Sequence, residues 1–222
     1  PGTEINYEVS IQRIKQALVS TENRVVRLEI QKTQAPRPTI DVLEFMLKEI
    51  IDSSLFDGLV ELYLKDLQNG LVLHFTHNRI DEEDIPVNIA YSSWSTIKIP
   101  VMVSAFRRIS APYDPNDLIM MEQMIERSDN DSTDALAKAV IDPTFAPMEV
   151  TEDMKALGIE NTYWAGFFAP GSPMLQDYKT PANQRTDFST EPDRYAQTTP
   201  QDLGLLLEDI YYCAKDYGGS FP

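Results

Sequence analysis

Two runs of alternating side chains around Asn69-Gly70 constrain this chain more than any other stretch. Val60, Leu62 and Leu64 alternate with Glu61, Tyr63 and Lys65, and Leu71, Leu73 and Phe75 alternate on the way back. A period of two interrupted by Asn-Gly predicts an antiparallel β-hairpin. His74 and His77 lie on the return strand. Being three apart they face opposite sides, which argues against a shared metal.

The rest of the chain reads mainly as helix. Ile11, Ile14, Ala17 and Leu18 share a face within 5–19, and Val26, Leu28 and Ile30 then alternate as a strand. Ala35-Pro36-Arg37-Pro38 breaks the pattern and predicts a linker, with 1–36 a tail of a preceding domain or a packed arm and 37–222 the main domain. Thr39 or Asp41 caps a predicted helix to about Ile51, with Val42, Phe45, Met46 and Ile50 inward. A buried helix is predicted from Ser95 to about Arg108, and further helices over 117–127 and 133–140. A short helix over 151–158 ends at Gly158. Met121 and Met124 read as core filler. From Trp164 to Thr198 the chain is rich in Pro, Gly, Asp, Ser and Gln, which predicts a long irregular loop, of a kind that is functional or disordered. Thr199-Pro200 opens a last helix, predicted to end at Gly218, with Cys213 as a small core residue.

At 222 residues the chain can bury a sizeable core. Its net charge of −16 is the wrong sign for a phosphate-binding surface, and the one dense positive cluster is Arg107-Arg108. Nucleic acid and anionic membrane surfaces are therefore not expected partners. No run of 18 apolar residues exists to span a bilayer. One cysteine excludes an internal disulfide and a cysteine metal cluster.

Chemistry concentrates where the chain enters the buried helix, at Ser95-Thr96-Ile97-Lys98. Residues at i and i+3 share a helix face, so the Ser95 hydroxyl and the Lys98 amine can meet. A hydroxyl needs a base to become a nucleophile, and a desolvated amine loses its proton nearer neutral pH. A helix cap followed by a solvated lysine would give the same four residues. The second element is Ser128-Asp129-Asn130. A serine can relay a proton to a leaving amine and an asparagine amide can hold a carbonyl, although a turn rich in capping residues would read the same way.

Both motifs occur in one order, each at a helix boundary. The pair, with Thr198-Thr199-Pro200 and the hairpin, resembles the class A β-lactamases and related penicillin-binding serine enzymes, whose signature is S-x-x-K, S-D-N and K-T-G. The resemblance covers about 40–218 and implies an α/β (α+β) fold of the β-lactamase/transpeptidase type, a helical domain plus an antiparallel sheet. It implies that Ser95 is acylated, that Lys98 is its base or proton relay, that Ser128 protonates the departing nitrogen and that Asn130 binds the acyl side-chain amide. It also implies half an oxyanion hole at the Ser95 N–H, with Asp129 tying the turn together. Neither cofactor nor metal is implied. The substrates would be β-lactams or peptidoglycan peptides; the oligomeric state is left open.

Three departures separate the chain from that pattern. Ser95 and Ser128 are closer in sequence than is usual in the family. Counting back from Pro200 to the deacylating glutamate gives Asn183, with Asp187, Glu191 and Asp193 nearby but out of place. No K-T-G occurs, and Lys179-Thr180-Pro181 does not qualify. A two-stranded hairpin is marginal alone, so the family's C-terminal strands are expected to be missing from this chain. Residues from Ile5-Asn6-Tyr7-Glu8 to Pro38-Thr39-Ile40 bear a fainter resemblance to a peptidoglycan-binding repeat, which implies a bacterial cell envelope or extracellular location. Slow deacylation is expected of a serine hydrolase or acyltransferase built this way. A cell-wall-associated scaffold that keeps the fold without activity is the alternative.

Overall fold

The computed structural model of the chain describes residues 2–22, 25–33, 38–80 and 85–215. They form a mixed helical and antiparallel α+β structure in two compact units, 1–47 and 48–222. The expected linker at 35–38 lies outside the described residues except for Pro38.

In the first unit, β1 (Gly2–Ile5) pairs antiparallel with β2 (Ile30–Thr33), and α1 (Tyr7–Val19) lies between them in sequence. Asn6 caps α1 by accepting from the Val9 amide at 3.1 Å. The strand expected over Val26–Ile30 is displaced, and β1 was not anticipated. Residues 27–29 are engaged by α1 instead. Glu29 O accepts from the Asn6 amide at 2.8 Å, the Glu29 amide donates to Ser10 Oγ at 3.0 Å, and Arg13 pairs with the Glu29 carboxylate at 2.6 Å. The alternation was real, but the ladder begins only at Ile30.

The division between the units falls inside α2 (Ile40–Ser53), which opens where Thr39 Oγ1 accepts from the Val42 amide at 3.4 Å. Val42, Phe45, Met46 and Ile50, expected to face inward, are exposed. Periodicity identifies the apolar face of a helix but not what covers it.

In the second unit the hairpin forms as expected. β3 (Leu59–Lys65) and β4 (Val72–Asn78) pair from Leu59↔Asn78 to Lys65↔Val72, and Gly70 takes the left-handed φ of +75° that the turn requires. His74 contacts Glu61 at 2.9 Å and His77 contacts Asp52 at 2.7 Å, on opposite faces. Among the described residues no group of three potential ligands gathers to hold a metal, and no helix is long and apolar enough to cross a membrane.

A second sheet, absent from the sequence reading, has the order β5-β7-β6, from β5 (Tyr91–Ser92), β6 (Tyr163–Trp164) and β7 (Ala196–Thr198). Its strands are too short to show alternation. β5 runs into a 3-10 turn, Trp94–Ile97, and then α3 (Lys98–Phe106). α3 is the centre of the unit. Ile97, Val101 and Ala105 enter a core with Met121 and Met124 of α4 (Pro115–Glu126), Leu136 of α5 (Asn130–Leu136), Val150 of α6 (Ala146–Ala156) and Trp164. Val103 joins a second core with Met154, Ile159 and Leu206, the last from α7 (Pro200–Ala214).

Helix ends differ from expectation where capping overrides periodicity. α5 starts at Asn130 because Asp129 caps it, and passes into a π-helical turn, Ala137–Ile141. α6 begins at Ala146, ahead of the expected 151, with Pro147 in its first turn. Gly158, at φ +79°, follows it as expected. α7 ends at Ala214, and Gly218 lies outside the described residues. Cys213 is exposed rather than a core residue. It lines a groove of about 300 Å³ with Met102, Val103, Phe106 and Ile210.

Candidate active site

The approach to Ser95 is held by the second sheet. β5 pairs with β7 (Tyr91↔Thr198, Ser92↔Gln197), and the Ser93 amide continues the ladder to Ala196 O at 3.0 Å. Trp94 follows with a left-handed φ of +48°. For a bulky residue that conformation costs about 1–3 kcal/mol. It is offset by the tight turn beyond it, where the Thr96 amide donates to Ser93 O at 2.9 Å and the Thr96 hydroxyl to the same oxygen. The result is an exposed Ser95 in the first turn of a helical segment, among N–H groups that lack intrahelical acceptors.

Ser128 stands between α4 and α5, also at positive φ, +54°. The turn around it is tied at several points. The Asp129 amide donates to Gln123 O, Asp129 Oδ2 accepts from the Ser132 amide at 2.6 Å, and the Thr133 hydroxyl donates to Asp129 O at 2.6 Å. Hydrogen bonds from Ser132 hold the Asp129 carboxyl below the usual range. Asp129 thus has the tying position expected for it.

Lys98 joins the two motifs. Its residue is 2% exposed, so it is not the solvated lysine of a plain helix cap. Nζ donates to Ser95 Oγ at 3.1 Å, Ser128 O at 3.0 Å, Ser128 Oγ at 3.2 Å and Asn130 Oδ1 at 2.7 Å. All four oxygens are neutral, so burial pushes the Lys98 amine below the ordinary lysine value, against the raising fields of Asp129 and Asp134. Ser95, Lys98, Ser128 and Asn130, 35 residues apart at most, therefore meet at one nitrogen. Asn130 is exposed, and with Oδ1 on Lys98 its Nδ2 is the half left to hold a ligand carbonyl.

Two residues outside the sequence-derived set complete the surroundings. Phe168 sets its ring against Lys98, with Nζ 4.6 Å from the centroid. Asp134, 5% exposed on α5, fixes the backbone that carries that ring by accepting from the Phe168 amide at 3.0 Å and the Ala169 amide at 2.8 Å. Trp164 stacks on Phe168 at 5.7 Å, and both the Trp164 amide and carbonyl bond to Thr151 Oγ1 at 3.0 Å. Gly166 lets the strand of loop pass, since a Cβ there would sit 2.8 Å from Pro173 O. The signals were in the sequence: a carboxylate within the buried side of a helix, and an apolar Phe167-Phe168 pair in an otherwise polar loop.

The loop acids go elsewhere. Asp187 pairs with Arg185 at 2.5 Å, which lowers its carboxyl to about 2. Asp193 accepts from the Tyr195 amide at 2.9 Å, and Glu191 is exposed. Asn183 braces the loop, donating to Tyr178 O and Gln197 Oε1, each at 3.0 Å.

No protein-family model matches this chain, and no curated protein does either. Among solved structures, the crystal structure of a β-lactamase from Desulfarculus baarsii DSM 2075 is similar over 73% of this chain and 59% of that one, with 16% identity and a TM-score of 0.47. The chain thus spans less than two thirds of the length of that structure.

Proposed function

We propose that the chain is a serine acyltransferase or hydrolase of the β-lactamase type, acylated at Ser95 by β-lactams or cell-wall peptides. The observation that carries this reading is the Lys98 amine, buried, without a carboxylate partner among the described residues, and within 3.2 Å of both serine hydroxyls. The substrate class comes from the resemblance of the motifs.

The residues support a balanced sequence of proton transfers. Neutral Lys98 takes the Ser95 hydroxyl proton as Oγ attacks the carbonyl carbon of the substrate amide. The carbonyl oxygen becomes an oxyanion beside the Ser95 N–H, a donor of a kind worth about 10²–10³ in rate. As the tetrahedral centre collapses, the C–N bond breaks and an ester to Ser95 remains. The Lys98 proton passes through Ser128 Oγ to the leaving nitrogen, so the amine ends neutral. Asn130 Nδ2 holds the acyl side-chain carbonyl. Loss of a penicillin-type adduct in Ser95→Ala, with the adduct present in the unaltered chain, is the expected result. An adduct that persists in Ser95→Ala would overturn the assignment of the nucleophile.

A further inference from the structure

Once the ester has formed, hydrolysis needs a water beside a base, and the base is already present. By the sequence above, Lys98 is left neutral after giving its proton to the leaving nitrogen. The open side of Ser95 is then filled by the acyl group. What remains is the face of Nζ turned to Phe168. Phe168 is half-buried with its ring centroid 4.6 Å from the nitrogen; Asp134 holds its backbone through two successive amides, and the Trp164 ring packs against its own. An aromatic ring in that place offers no base, and its face is only a weak acceptor toward water.

We infer that Phe168 is a positioning residue that keeps the hydrolytic water from Lys98, so that an acyl group on Ser95 is retained. This rests on the acylation reading above. With the ring removed, a water can enter beside Nζ. It gives one proton to the neutral amine as its oxygen attacks the ester carbonyl, the C–Oγ bond breaks, and Ser95 Oγ takes the proton back from Lys98. Acid and free enzyme are the products. Base assistance to water is worth about 10²–10⁴ in rate, so even partial access should shorten the life of the adduct by about 10-fold or more.

The test compares the full chain with Phe168→Ala and Phe168→Leu, using a benzylpenicillin-type probe and intact mass. Phe168→Ala should release the acyl group about 10-fold faster or more, followed on adduct already formed and freed of excess probe so that the rate of adduct formation does not enter. Phe168→Leu, which keeps an apolar plug, should release at the unaltered rate. A second readout is reductive methylation of Lys98 in the absence of probe, followed by peptide mapping. It should accelerate in Phe168→Ala and stay slow in Phe168→Leu. Equal release and equal methylation in all three chains would overturn the inference. A variant that forms adduct and releases it in equal, slowed proportion would assign Phe168 to folding alone and overturn it too. Absence of adduct in all three chains, with faster methylation in Phe168→Ala, would uphold the seal and overturn the acylation reading.

Discussion

Replacing Asp134 should unfasten the clamp beside Lys98 at a cost that can be worked out from its contacts. The carboxylate accepts from two backbone amides, at 3.0 and 2.8 Å, and its residue is 5% exposed. Hydrogen bonds to a charged group contribute about 1.5–3 kcal/mol each. Asp134→Ala removes both acceptors and leaves two amides to find water, so a loss of about 3–6 kcal/mol is expected. Asp134→Asn keeps one oxygen but turns an amide toward the other donor, and should lose about half as much. Equilibrium unfolding in urea reads the difference. With a slope of about 2 kcal/mol/M, Asp134→Ala should lower the midpoint by about 1.5–3 M. A shift under about 0.3 M, or equal shifts for the two variants, would refute a two-amide clamp.

Further outcomes are expected at Lys98, Gly204 and Asp202. Lys98→Ala should slow acylation by about 10²–10⁴-fold, as loss of a general base does. In the unaltered chain the acylation rate should rise with pH as the amine deprotonates and level off below the ordinary lysine value of 10.5, since burial depresses Lys98; a plateau at or above 10.5 would contradict this. The same shift costs stability at low pH, where the buried amine is charged, and the cost fades as pH rises from the depressed value toward 10.5. Gly204→Ala, normally stabilising in a helix, should instead destabilise by about 1–3 kcal/mol, because its Cβ would fall 2.3 Å from the Tyr63 ring where α7 meets the hairpin. Asp202→Ala should cost about 2–4 kcal/mol in thermal or urea unfolding. It strips acceptors from the Asn161 amide at 2.8 Å and the Thr162 hydroxyl at 2.9 Å, inside the joint that sets α7.

The local chemistry of the sequence was legible where a single stretch carries its own instructions. Asn69-Gly70 with alternating flanks is a hairpin, and Thr199-Pro200 opens α7. Ser95 and Lys98 lie within one turn, so their contact follows from helix geometry. Ser128 and Asn130 were legible as a pair, but their arrival at the same nitrogen depends on how α4 and α5 pack on α3, which no local pattern encodes. Phe168 reaches Lys98 across 70 residues of chain, through a carboxylate that looks like any helical acid until its two amide donors are seen. The inward face assigned to α2 failed for a related reason. Amphipathicity records a preference for burial, and Phe45 and Met46 remain exposed.

The most direct test of the nucleophile is the intact mass of the chain after incubation with a benzylpenicillin-type probe, run beside Ser95→Ala. The expected result is a stable mass increase of one acyl group in the unaltered chain, absent from Ser95→Ala and mapped to the peptide holding Ser95. No adduct and no consumption of probe, from a chain shown to be folded, would contradict a serine nucleophile and leave the Lys98 cluster as a structural joint.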